Sequence, residues 1–118
     1  MSKIRPLSSS FEFAIEGLKT AFKREPNFRI HVVAAVFFLI LGYVVELNPT
    51  EWLLLLFTIS FVLILELINT SLEAIVNLVS PKIRPHAKIA KDVAAASVLL
   101  AAITAVIVGI VLFYPKLS

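Results

Sequence analysis

Three long apolar stretches make up most of the chain, and the polar residues inside and between them fall in a pattern that predicts helices. The first element is different in kind. Ser9 stands three residues before Glu12, the spacing of a capping box, and predicts a helix over residues 9–24. Within it Phe11, Ala14, Ile15, Leu18 and Phe22 recur at helical spacing and leave Glu12, Glu16, Lys19 and Lys23 on the other side. A two-faced helix in a chain with no soluble core to pack against is expected to lie in the plane of a membrane surface.

Pro26 disfavours helix at Glu25, so the chain is expected to turn there and start again. Residues 28–47 then supply about the 20 apolar positions that a 30 Å hydrocarbon layer requires, and form the first predicted span. The segment ELNPTE carries Asn-Pro and two acids and predicts a turn. A second span over 51–79 has no internal proline, and at 1.5 Å per residue it runs roughly 43 Å, so one end must leave the hydrocarbon. Pro81 and Pro85 end it. The third span, 88–114, is rich in alanine, which permits close helix approach in lipid. The expectation is therefore an all-α membrane protein, with an N-terminal amphipathic surface helix plus three transmembrane helices in a single membrane domain over 1–118.

Composition excludes a soluble alternative. The chain is 59% hydrophobic and 16% charged, with a mean hydropathy of +0.96, well beyond ordinary globular usage. The absence of cysteine removes disulfides, thiolate metal sites and thiol nucleophiles. With His31 and His86 as the only histidines, a histidine metal site is a poor reading. The first thirty residues are too mixed and charged for a secretory signal, so the N-terminus is expected to be retained.

The basic residues set the orientation. Lys3, Arg5, Lys19, Lys23, Arg24 and Arg29 come at or before the first span, and Lys82, Arg84, Lys88 and Lys91 lie between the second and third. Lys116 alone follows. The positive-inside rule then puts the N-terminus and the 80–92 loop in the cytoplasm and the C-terminus outside. The net charge of +3 is accounted for by topology and gives no support to a nucleic-acid partner.

Glu66, Asn69 and Glu73 carry the most information. Ionisable groups in a spanning helix cost a few kcal/mol each and are tolerated mainly for function. Their i, i+3, i+7 spacing puts them on one stripe, beside Thr70 and Asn77. Counted from Glu51, Glu66 lies roughly 22 Å and Glu73 roughly 33 Å along the helix, in the inner half and near the cytoplasmic boundary respectively. Glu25, Lys91 and Asp92 fall at a similar depth. Acids near a lysine can hold a divalent cation and neutralise the phosphates of a nucleotide. The same groups also admit structural roles: Glu66 and Asn69 as interhelical hydrogen-bonding groups, Glu73 and Lys91 as an ion pair, and Asp92 as a helix N-terminal charge. A second functional class is a non-enzymatic oligomeric protein with a proton or ion pathway lined by Glu66 and Glu73. That pathway would have to cross an outer half offering only Thr58 and Ser60. No Walker-type loop or protein-kinase motif is present, and the three glycines are isolated.

The segments ELINTSLEAIV at 66–76, AKIAKDVAAASVLL at 87–100 and SFEFAIEGLKTAFKREPNFRIH at 10–31 together resemble the small bacterial diacylglycerol kinase and undecaprenol kinase family. The resemblance covers nearly the whole chain. It implies a homotrimer of three-span protomers in the bacterial inner membrane, with sites shared between neighbours, moving the γ-phosphate of MgATP to a lipid alcohol. Residue by residue it implies Glu66 as general base with Asn69 beside it, Glu25 and Glu73 as Mg2+-binding acids, and Lys91 and Asp92 as the nucleotide-binding pair. Asn77 departs from the aspartate of many relatives and loses the charge there. The NTSLE wording stands nearer the undecaprenol-type members. Three helices enclose too little volume to shield the whole Glu66/Asn69/Glu73 stripe, which also leads one to expect an oligomer.

Overall fold

The computed structural model describes residues 6–118, so Lys3 and Arg5 of the charge argument lie outside the described residues. Four helices follow in order: α1 (Leu7–Arg24), α2 (Pro26–Val44), α3 (Pro49–Val79) and α4 (Pro85–Leu117). The last three are long and apolar enough to cross a membrane. Prolines at the first positions of α2, α3 and α4 suit helix starts, where the missing N–H would have had no partner.

The helix ends differ from the sequence expectation in instructive ways. The α1 helix begins at Leu7, with Pro6 as N-cap and no side-chain cap, so Ser9 and Glu12 lie inside it and form no capping box. The capping box in this fold is at α3. Asn48 Oδ1 accepts from the Glu51 backbone N–H at 2.9 Å, and Glu51 Oε1 accepts from the Asn48 N–H at 3.0 Å. The α4 helix starts at Pro85, three residues earlier than expected, and continues through Pro115 to Leu117.

The α1–α2 elbow is tightly specified. Glu25 is extended (φ −114°, ψ 102°), as a residue before proline prefers. Arg29 Nη1 donates to the carbonyls of Phe22 and Lys23 at 2.7 and 2.9 Å, satisfying two acceptors at the end of α1 with a favourable charge. Along α1 only Ala21 is buried, and the apolar face carrying Phe11, Ile15, Leu18 and Phe22 is exposed.

At the opposite end, α2 closes through Glu46 in the left-handed region (φ 58°), with Glu46 N–H donating to Tyr43 O and Leu47 N–H to Gly42 O. Leu47 folds back into a cluster with Leu55, Leu112 and Phe113, joined by Phe38 and Trp52. Phe38 and Phe113 pack ring to ring at 5.4 Å and link α2 to α4. Lys116 pairs with Glu51 at 3.0 Å, linking the end of α4 to the start of α3. The α3 and α4 helices pack along their length, while α2 lies on α3 and leaves open space between itself and α4.

Candidate active site

In α3, Glu66 is the one buried charged residue among those described, with 4% of its surface exposed. Its Oε1 lies 2.7 Å from His31 Nδ1 on α2, and its Oε2 is buried with no partner. One turn further, Asn69 Nδ2 donates to Glu73 Oε1 at 3.0 Å, while Asn69 Oδ1 is buried and also without a partner. Buried polar atoms are nearly always satisfied, so two orphan oxygens one helical turn apart mark a place built to receive donors or a cation.

Glu25 reaches the same place from the elbow. Thr70 Oγ1 lies between Glu25 Oε1 at 3.3 Å and the Glu66 carbonyl at 3.0 Å, and can donate to either. Glu25, Glu66, Asn69 and Glu73 line one cavity of about 480 Å³, closed on the far side by Ala95, Val98 and Ala102 of α4. The small alanine surfaces leave room beside the carboxylates. The single chain buries Glu66 but leaves Asn69 and Glu73 only half-buried, so it does not shield the whole stripe.

Lys91 and Asp92 do not line this cavity. Asp92 pairs with Lys88 at 2.6 Å on the outer surface of α4, and Lys91 stands one turn before Ala95. Glu73 bonds Asn69, and no ion pair joins it to Lys91. Asn77 is exposed. His86 sits at the start of α4 beside an apolar hollow below α3, away from the carboxylates.

A divalent cation is compatible with these residues. Among the described residues no group of three or more His, Cys, Asp or Glu is gathered to enclose a metal. Magnesium, however, commonly takes one or two carboxylates and completes its shell with phosphate oxygens and water. Glu25 and Glu73 in one cavity, with Asn69 Oδ1 unsatisfied beside them, supply hard oxygen donors of that kind.

A profile of the prokaryotic diacylglycerol kinase family matches residues 12–113. The chain belongs to this family. This lipid kinase is 41% identical over 108 residues to the undecaprenol kinase of Bacillus subtilis, covering 92% of the present chain and 88% of that one. It is 45% identical over 109 residues to a diacylglycerol kinase of Synechocystis, of which the alignment spans 62%. To the diacylglycerol kinase of Escherichia coli K12 it is 28% identical over 102 residues, covering 86% of the present chain and 84% of that one. The protein is thus a multi-pass membrane lipid kinase, and membership in a kinase family implies ATP as phosphate donor.

Sequence reasoning missed His31 as a partner of Glu66, having considered histidines only as metal ligands. The signal was present: His31 is a lone polar residue on the packed face of α2 that carries buried Phe28 and Ala35.

Proposed function

We propose that this kinase transfers the γ-phosphate of ATP to the primary hydroxyl of a lipid alcohol, undecaprenol or diacylglycerol, at the cytoplasmic face of the bacterial inner membrane. The observation that carries this reading is the buried Glu66 carboxylate, one oxygen held near His31 and the other free, at the edge of a cavity containing two further carboxylates.

Glu66 Oε2 accepts the hydroxyl proton of the lipid as its oxygen forms a bond to Pγ. The bond from Pγ to the β,γ-bridging oxygen breaks, and ADP leaves with that electron pair. Asn69 orients the lipid or phosphate oxygens beside Glu66, and Glu25 and Glu73 would hold the cation. When bound, Mg2+ supplies charge neutralisation between the carboxylates and the phosphates. The protein's part is positioning and electrostatics, as in phosphoryl transfer generally. Lys91 and Asp92 are assigned to nucleotide phosphates and ribose arriving along α4, a role that requires the nucleotide to extend beyond the cavity or a neighbouring protomer to complete the site.

Orientation follows the basic residues: Lys23, Arg24, Arg29, Lys82 and Arg84 gather at the end of the helices that carries Glu25 and Glu73, and Lys116 is at the other. The exposed apolar face of α1 supports its placement in the cytoplasmic interface. A homotrimer is the assembly we assign to it, with α4 alanines available for packing. The ion-pathway alternative gains no support, because the Thr58 hydroxyl in the outer half of α3 is turned to the Leu54 carbonyl at 2.7 Å.

The test is to offer purified protein radiolabelled γ-phosphate ATP with each lipid in mixed micelles and to separate the products. Phosphorylation of one lipid in preference to the other assigns the substrate; transfer to neither overturns the proposal.

A further inference from the structure

We propose that His31 is a positioning residue for Glu66, fixing Oε1 so that Oε2 is the oxygen presented to the lipid hydroxyl. The inference rests on the kinase reading of the same site and adds to it a residue on a different helix.

His31 occupies a packing position. The α2 face that meets α3 carries Phe28, Ala35 and Gly42, all buried at seven-residue spacing, and His31 falls on that face between the first two. An apolar side chain would fill such a position without a desolvation cost. Imidazole there needs a partner, and Glu66 Oε1 is 2.7 Å from its Nδ1, with the carboxylate 5% and the imidazole 29% exposed. The contact is at ion-pair distance but not in line with the ring N–H. Loose alignment of this kind is usual before substrate completes a catalytic hydrogen-bond set.

Two features separate positioning from simple helix-to-helix adhesion. First, a pair retained only for packing should be satisfied throughout, yet His31 Nδ1, close to Glu66 Oε1 but without an aligned hydrogen bond, Glu66 Oε2 and neighbouring Asn69 Oδ1 are all left unsatisfied. A carboxylate with both oxygens free would exchange them by rotation; holding one leaves the other in a defined place. Second, His31 stands where two spaces meet. The polar cavity and a separate apolar groove of about 470 Å³, lined by Ala34, Phe38, Val62, Ala105 and Phe113, share only His31 and Ala102 as lining residues. The groove runs toward the Leu112–Phe113 end of α4 and is chemically suited to an alkyl chain. A lipid alcohol with its chain in the groove would have its hydroxyl at the His31–Glu66 pair, facing the phosphoryl donor in the polar cavity. His31 thus sets the depth at which the hydroxyl meets its base.

The test compares substitutions that move one donor atom. In His31→Asn the side-chain nitrogen occupies nearly the place of Nδ1, whereas in His31→Gln it lies nearer that of Nε2. The expected result is kcat within about fivefold of wild type for His31→Asn and a loss of about tenfold or more for His31→Gln, the scale of a misplaced catalytic group. Apparent KM for ATP should stay within about twofold in both, since neither touches the cation acids. Equal rates for the two variants, or a loss confined to KM, would overturn the inference. A second arm uses His31→Ala with and without added imidazole. A rate increase of about threefold or more supports positioning through the missing ring, and a folded variant without increase overturns it. Wild-type and Glu66→Gln controls separate the possible failures. Wild type inactive on both lipids removes the kinase reading itself. An active wild type with an inactive Glu66→Gln and unaffected His31 variants removes only the role of His31.

Discussion

The Thr70 hydroxyl on α3 stands 3.3 Å from Glu25 Oε1, joining residues 45 positions apart and drawing the α1–α2 elbow onto the helix that carries Glu66. The elbow itself is held by Arg29, so Thr70 acts as the local guide for one carboxylate. Thr70→Val keeps the shape and removes the donor. The loss of one hydrogen bond to a charged group is worth about 1.5–3 kcal/mol at most, and less here because the hydroxyl also has the Glu66 carbonyl. The expected outcome is a several-fold rise in the magnesium concentration giving half-maximal rate, read from a metal titration at saturating lipid.

Glu66→Gln should lower the maximal rate by a factor on the order of 10² to 10⁴ while leaving the apparent affinity for ATP nearly unchanged, since a general base acts only in the transition state. Steady-state rates at varied ATP check this. A variant with normal kcat would remove Glu66 from the role of base.

Glu73→Gln and Glu25→Gln should fail differently. Each keeps shape and removes one charge from the proposed cation site, so the magnesium requirement is expected to rise steeply, with part of the activity returning at high metal. Manganese, which also accepts oxygen ligands, gives an independent readout. Rescue of Glu66→Gln by metal, with no rescue of Glu73→Gln, would exchange the two roles.

Arg29→Met retains an apolar stem but leaves the Phe22 and Lys23 carbonyls without their charged donor. A charged cap at a helix C-terminus contributes about 0.3–1 kcal/mol, and its loss should loosen α1. Limited proteolysis in mild detergent is expected to cut within residues 7–24 faster than in wild type, with reduced activity because Glu25 hinges on the same elbow.

Gly42→Val tests the outer end. Even a single Cβ at Gly42 would meet Leu47 Cδ1 at 2.9 Å and Trp52 Cη2 at 3.0 Å, so a branched side chain must displace Leu47 from its cluster with Leu55 and Phe113. Overpacking of this kind typically costs about 1–3 kcal/mol. A lower unfolding midpoint in detergent is expected, with the magnesium dependence unchanged because the site is at the other end of α3.

What was legible in the residues alone were the elements whose hydrogen bonds close within themselves. In lipid every backbone group must be satisfied locally, so apolar runs bounded by Pro26, Pro49 and Pro85 determine three helices, and the 3.6-residue period puts Glu66, Asn69 and Glu73 on one stripe. Helix ends were less secure. The Ser9–Glu12 spacing is also compatible with a helix interior, and the chain is already helical from Leu7. Only the tertiary structure decided which groups from other helices meet that stripe. The approach of His31 to Glu66 and of Glu25 to Thr70, and the position of Lys91 and Asp92 outside the cavity, depend on the rotation and tilt of each helix against α3. Those angles are set by many small side-chain contacts distributed along the helices, and no short-range period in the sequence encodes them.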